Sequence, residues 1–261
     1  MRLMGRIFLS RLHALTAIAQ LLMVCAPLRA ESVTELLKKG DVCSAKLQAA
    51  EALQYYLPAE KLEPENARIL VRIARQYRYL MADAPSRAEK LRLGGIALEY
   101  SRRAAGLAPN DFEAQLSVAI TYGKLLPLMS VRQQLRASGH IKAFADKALR
   151  LNPQSDLAWH VLGRWHRVLS DVSTLKRRLA SFVYGQLPQT TTEEAVKCFQ
   201  KALEINPSRL MHYVELGRAY AQMGRTAEAR QYIEKGLAMP NVEKDDPETK
   251  RRGLETLSKL Q

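Results

Sequence analysis

The chain has 261 residues, of which 47% are hydrophobic, and it carries a formal net charge of +14. The apolar content suffices to bury a core, and the 13 glycines and 11 prolines fall mostly at recurring joints, which argues against intrinsic disorder. The positive charge favours anionic partners, such as acidic peptides, phospholipid head groups or nucleic acid.

Residues 1–30 form a separate leader. They contain four arginines, no acidic residue, an apolar run from Leu12 to Leu28, and Ala30 at the end. This order predicts a signal peptide cleaved after Ala30, and hence a periplasmic or secreted protein of net charge +10. Three alternatives stay open: residues 12–28 anchor the chain in a membrane, the leader is a mitochondrial presequence, or Cys25 carries a lipid.

Five prolines divide residues 31–261 into five units. They are Pro64, Pro109, Pro153, Pro207 and Pro240. Because proline cannot continue a helix, each is expected just after the second helix of a helix pair. Asn66 is a predicted N-cap of a first helix, and Ser86 and Thr191, each followed three residues later by Glu, are predicted N-caps of second helices.

The units differ in length from a regular repeat. The third unit has about ten extra residues, which we expect in an enlarged connection marked by Pro127, Ser138 and Gly139. The fourth has about 20 extra residues, and we expect its first helix to continue towards Phe182 and to turn before Pro188.

A last helix is predicted from Asp246 to Gln261. Its apolar positions, Leu254, Leu257 and Leu260, lie three residues apart on one side. We expect this side to pack on the preceding unit, because the last unit of a stacked repeat needs a cap.

The fourth and fifth units share one motif: a bulky aromatic residue, Leu-Gly, a ring, then Ala, a bulky residue and Pro. Its members are Trp159, Leu162, Gly163, His166, Ala195, Phe199 and Pro207, and then Tyr213, Leu216, Gly217, Tyr220, Ala229, Ile233 and Pro240. This is the signature of the tetratricopeptide repeat (TPR), a helix-turn-helix unit of about 34 residues. We therefore predict that residues 31–261 are one all-α domain, a right-handed TPR-like solenoid of about five units with a C-terminal capping helix.

Residues 157–255 carry a more specific pattern. It consists of Gly163-Arg164-Trp165, Leu175 to Arg178, Phe182, Gly185, Pro188, Glu194-Ala195, Phe199, Ala202, Pro207, Tyr213 to Tyr220, Met239-Pro240, Lys244-Asp245 and Lys250. This pattern resembles the regulator of microtubule dynamics family. The resemblance implies a TPR-like protein of mitochondria, reticulum contacts or spindle microtubules, and one animal member is linked to phospholipid transfer.

Two features depart from that family. The chain has no Phe-Phe pair, and so lacks the short acidic motif that recruits a reticulum receptor in the animal member. The export-type leader indicates a bacterial relative outside the cytosol. We therefore expect the fold to be shared and the microtubule role not to be.

The repeat phase predicts which side chains face the concave surface of the stack. At the inward places of the first helices lie Arg68, Arg75, Arg78, His160, Arg164, Arg167 and Arg218. The apolar residues at such places are Val71, Leu116, Ile120, Leu157, Met211 and Val214. Because guanidinium binds carboxylate or phosphate through two hydrogen bonds, we predict an anion-binding groove. The alternative is that the apolar residues belong to the core and each arginine pairs with a neighbouring acid.

No catalytic, cofactor or metal motif competes with the repeat. The histidines lack the spacing of a helical zinc site, no serine or cysteine lies in a nucleophile motif, and Gly94-Gly95 lacks the context of a phosphate loop. We predict a non-enzymatic scaffold that binds an acidic or extended segment of a protein partner in the groove. The alternative is binding or transfer of an anionic phospholipid there. Membrane association is expected only through the leader, and nucleic acid is not an expected partner.

Overall fold

The computed structural model describes residues 31–171 and 189–260. These ranges contain eleven α-helices and no strand. The helices are α1 (Val33–Ala45), α2 (Ala49–Leu62), α3 (Ala67–Asp83), α4 (Arg87–Leu107), α5 (Phe112–Leu125), α6 (Val131–Leu151), α7 (Asp156–Ser170), α8 (Thr192–Ile205), α9 (Leu210–Gln222), α10 (Thr226–Ala238) and α11 (Asp246–Leu257). The predicted signal peptide and the predicted extension towards Phe182 lie outside the described residues.

Ten of these helices form five successive pairs, and each pair packs on the next. The second helix of every pair ends two residues before one of the five prolines, as the sequence predicts. Asn66, Ser86 and Thr191 accept backbone hydrogen bonds as the predicted N-caps. The predicted all-α, TPR-like solenoid is thus confirmed.

The Leu-Gly glycines allow the two helices of a pair to touch. A Cβ atom on Gly163 would lie 2.7 Å from the ring of Phe199, and one on Gly217 would lie 2.8 Å from the carbonyl oxygen of Ala229. Both distances are shorter than real Cβ contacts. Only glycine therefore permits α7 to pack on α8, and α9 on α10, at these positions.

The extra residues of the third unit form helix rather than loop, so the prediction of an enlarged connection through Ser138 and Gly139 is wrong. Both residues lie inside α6, and the connection is limited to residues 126–130 around Pro127. Ser130 starts α6 with a capping box. Ser138 is buried, and its backbone and side-chain oxygens both accept from Nε1 of Trp165 at 3.0 Å, so its polar atoms have a partner in the core.

The capping helix exists, but its predicted apolar side packs only in part: Leu260, just after the helix, packs against the core cluster that includes Tyr220 and Ala229, whereas Leu254 does not pack. Helix α11 ends at Leu257, and Leu254 is 56% exposed. Thr249 and Gly253 are buried instead, against α9 and α10. On this side Gly253 allows close contact with Val214 and Ile233, and Nη2 of Arg252 lies 3.4 Å from Oε1 of the buried Glu215 on α9.

Candidate functional site

A large cavity, here called the groove, lies along the first helices of the units. Its volume is about 2210 Å³, and α3, α5 and α7 provide about half of the residues that line it. Of the described residues that line it, eleven are Lys or Arg and seven are Asp or Glu. Its floor includes the half-buried apolar residues Ile120, Leu157 and Met211. The groove is therefore cationic with an apolar floor.

The segment between α10 and α11, residues 239–245, borders the groove and is here called the strap. Nζ of Lys244 lies 2.6 Å from Oδ2 of Asp83, at the end of α3. Nζ of Lys124, on α5, donates hydrogen bonds to both carboxylate oxygens of Asp245, at 2.6 and 2.7 Å. Because these ion pairs join the last unit to the second and third units, the strap closes one side of the groove.

Three of the arginines predicted from the repeat phase line the groove without a partner. They are Arg68, Arg75 and Arg164. The first two are exposed, and Arg164 is partly buried. None of the three guanidinium groups makes a hydrogen bond or an ion pair with the residues that the structure describes. Their donors are consequently available to a ligand.

Arg78 also lines the groove, but its side chain is only 5% exposed. Its Nη1 donates hydrogen bonds to Oγ of Ser117 and Oγ1 of Thr121, each at 3.0 Å. Burial lowers the pKa of Arg78 to about 10, so the group stays charged at neutral pH. No carboxylate within the described ranges forms an ion pair with it, although a buried cation is costly without an anion.

Arg167 and Arg218 differ from the prediction, because neither lines the groove. Both pair with Glu215, which is fully buried: Nη1 of Arg218 lies 2.8 Å from Oε1, and Nε of Arg167 lies 3.3 Å from Oε2. Arg252 of α11 adds a third contact at 3.4 Å. Burial acts to raise the pKa of Glu215, but the surrounding guanidinium groups outweigh it and hold the pKa far below its usual value. The alternative of pairing with a neighbouring acid therefore applies to these two arginines.

His160 borders the groove but is part of a buried chain of polar groups. Its Nδ1 lies 3.0 Å from Nδ1 of His212, and Nε2 of His212 lies 3.1 Å from Oδ2 of Asp156. Burial lowers the pKa of His160 well below its usual value, so the ring is neutral. The neutral ring of His160 therefore adds no positive charge to the groove for an anion to bind.

Val71 and Leu116 line the groove but are mostly buried in the core, and Val214 is fully buried outside the lining. Val214 therefore belongs to the packed core and not to the groove, as the alternative interpretation of the apolar residues holds. In the fifth unit α11 packs over α9, so the end of the stack presents less concave surface than the repeat phase predicts.

Repeat phase missed several groove residues. Lys124 lies one position after Gly123, the last inward place of α5. The strap lies between two helices, where helix periodicity cannot predict which side chains face the groove. The charged run from Glu243 to Asp246 was the available signal. Within the described ranges, no group of three or more His, Cys, Asp or Glu is placed to hold a metal ion, and no helix has the length and apolar content needed to cross a membrane.

A family model and the sequences of known proteins both place this chain near the same family. A family model described as "Regulator of microtubule dynamics protein 1-3" matches residues 31–261. Regulator of microtubule dynamics protein 3 of Xenopus laevis is 27% identical over 222 residues, which cover 84% of this chain and 48% of the relative. Protein 1 of Bos taurus is 25% identical over 242 residues, which cover 92% of this chain and 76% of the relative. The chain spans about half the length of the first relatives it matches.

Among solved structures, the chain is similar to a thermophilic TPR protein of Thermus thermophilus. The TM-score is 0.62 at 18% sequence identity, and the match covers 87% of this chain and 100% of the other. At this identity the likeness shows the fold alone.

Proposed function

The chain belongs to the regulator of microtubule dynamics family, and on this premise we propose that it is a non-enzymatic TPR scaffold whose groove binds an acidic, extended segment of a protein partner. The observation that carries the proposal is a set of three groove arginines that have no hydrogen-bond or ion-pair partner among the described residues, Arg68, Arg75 and Arg164, beside a floor of apolar side chains. Each guanidinium can bind one carboxylate through two hydrogen bonds.

The spacing of the arginines suits an extended segment. Arg68 and Arg75 lie two turns apart on α3, which is a separation of about 10 Å. An extended chain covers this distance in about three residues. We therefore expect acidic residues about three positions apart in the partner, with apolar residues between them that contact Ile120, Leu157 and Met211.

Fluorescence anisotropy with a labelled peptide of repeating Glu-Leu-Ser tests this function. The variant Arg75→Glu/Arg164→Glu should bind at least about tenfold more weakly than the wild type, because two charge-assisted contacts become repulsive. A peptide of repeating Lys-Leu-Ser should not bind.

The matched control is Lys61→Glu/Arg150→Glu. Both residues are exposed, lie on second helices and are outside the groove lining, and the double variant changes the net charge by the same amount. It should leave the affinity within about twofold of the wild type. Equal loss in both double variants would mean that only net charge attracts the peptide, and unchanged binding in the groove variant would remove the groove as the site.

Binding of an anionic phospholipid in the same groove is the second candidate. The observation that favours it is the cavity of about 2210 Å³, in which apolar residues lie beside arginines. Lipid extraction of the purified mature protein, followed by mass spectrometry, separates the two functions. A copurifying anionic phospholipid supports lipid binding, whereas a lipid-free protein that binds the acidic peptide supports the first function.

A further inference from the structure

The strap places a carboxylate of the chain itself in the groove. Lys124 donates to both oxygens of Asp245, although 121 positions separate the two residues. The lysine side chain is 20% exposed and the aspartate side chain 35% exposed, so solvent reaches this ion pair. An ion pair open to solvent can exchange its anion for another one.

More cations surround this carboxylate than it neutralises. Burial lowers the pKa of Lys124, and the nearby charges of Arg78 and Arg164 lower it further, against the attraction of Asp245. Arg78 has only hydroxyl partners, and Arg164 has none among the described residues. Arg78 and Arg164 thus add positive charge beside Lys124, and Arg164 also acts on Glu215. Both oxygens of Asp245 are bound to the lysine.

Asp245 is also not needed to cap helix α11. It is the N-cap residue of α11, but its side chain makes no capping hydrogen bond. Asp246 instead holds the strap, because its Oδ2 accepts from the backbone nitrogens of Val242 and Glu243 at 2.8 and 2.7 Å. Release of Asp245 from Lys124 therefore leaves the local hydrogen bonds of the strap in place.

We propose that Arg78, Lys124 and Arg164 form a carboxylate-binding subsite of the groove, that Asp245 occupies it in the free protein, and that an acidic side chain of the partner displaces Asp245 on binding. This inference rests on the proposed function and adds two points to it. It names the position in the groove that takes one partner carboxylate, and it makes Asp245 an internal competitor for that carboxylate.

The variant Asp245→Asn tests the competition, because it removes the charge and retains the shape. We expect it to bind the Glu-Leu-Ser peptide about fivefold or more tightly than the wild type. The added substitution Lys124→Met should abolish this gain. The matched control is Asp83→Asn, which removes an equal charge and frees the same strap from α3 without touching the three cations. The control should show no gain.

The outcomes separate this inference from the proposed function. An equal gain in Asp83→Asn would mean that a looser strap, and not an emptied subsite, improves binding. No gain in Asp245→Asn, with the loss in Arg75→Glu/Arg164→Glu intact, would overturn the subsite and leave the function standing. If the wild type and Asp245→Asn both fail to bind the peptide, the function and the subsite are both wrong.

A second measurement uses the unaltered protein and so does not depend on the folding of a variant. Deuterium exchange of the backbone amides of Lys244 and Asp245 should become faster when the Glu-Leu-Ser peptide binds, because the strap loses its tether to α5, whereas Val242 and Glu243 keep their hydrogen bonds to Asp246. Exchange that is unchanged or slower would contradict displacement of Asp245.

Discussion

Nδ1 of His160 lies 3.0 Å from Nδ1 of His212, and both rings are buried between α7 and α9. Two imidazoles can share one hydrogen bond only while at least one of the facing nitrogens is free of a proton. This contact joins the fourth and fifth units through a buried His160 whose pKa lies well below its usual value, and it makes the junction sensitive to acid.

Stability should fall as the pH drops below about 6.5, the usual pKa of a free histidine. In the folded chain the pKa of His160 lies well below this value, so the unfolded chain binds the proton first. The free energy of unfolding therefore decreases as the pH falls. Between pH 7.5 and 5.5 the expected loss from His160 is about 1 kcal/mol. Urea unfolding at several pH values measures it.

The variant His160→Gln isolates this effect. The change in unfolding free energy between pH 7.5 and 5.5 should shrink by about 1 kcal/mol, corresponding to one proton, whatever the stability of the variant at pH 7.5. The half-buried His166, whose pKa burial also lowers, contributes with the same sign and should remain. An unchanged pH dependence in His160→Gln would contradict the lowered pKa of His160.

Glu215→Gln should be strongly destabilising. In the described part of the chain, Glu215 is the only carboxylate in contact with Arg167, Arg218 and Arg252, apart from a long contact of Arg252 with Glu248. Its loss leaves these half-buried cations without a close anion. The expected loss is about 3 to 5 kcal/mol. The exposed pair of Arg225 and Glu228 supplies the control, since Glu228→Gln should cost less than about 1 kcal/mol. Equal thermal unfolding of the two variants would show that Glu215 does not organise the end of the stack.

Two glycines should respond to alanine in opposite directions. Gly163→Ala places a methyl group 2.7 Å from the ring of Phe199 and should cost about 1 to 3 kcal/mol. Gly139 is exposed within α6, and a Cβ there meets no atom within 4 Å, so Gly139→Ala should stabilise the protein by up to about 1 kcal/mol. Chemical denaturation of both variants checks the pair, and destabilisation by Gly139→Ala would mean that residue 139 is not helical.

The leader prediction concerns residues outside the described ranges. If residues 1–30 are a cleaved signal peptide, the protein produced in a bacterial host that exports it should begin at Glu31. Intact mass measurement of the purified protein gives the result. An intact leader in the membrane fraction would favour the anchor alternative, and a lipid-modified Cys25 would favour the lipoprotein alternative.

The sequence alone predicted the features that recur in each unit, namely the helix ends and the inward places of the first helices. Proline stops, N-caps and inward helix places have local causes, and so the helix ends and the position of Arg75 follow from them. Arg167 and Arg218 could not be assigned in this way, because their partner Glu215 lies at neither an inward place nor a packing position of the motif. Asp245 was also missed, since its contact with Lys124 depends on how distant units meet and not on any local pattern.

The most direct test of the central claim, that the groove binds an acidic segment, is to map where an acidic peptide binds on the protein. The Glu-Leu-Ser peptide, with a photoreactive group in place of one leucine, can be crosslinked to the wild type and the attachment sites read by mass spectrometry. Crosslinks to Ile120, Leu157 and Met211 on the groove floor are the expected result. Crosslinks confined to α2, α8 and α10, which contribute no residue to the groove lining, would contradict the assignment of the groove as the binding site.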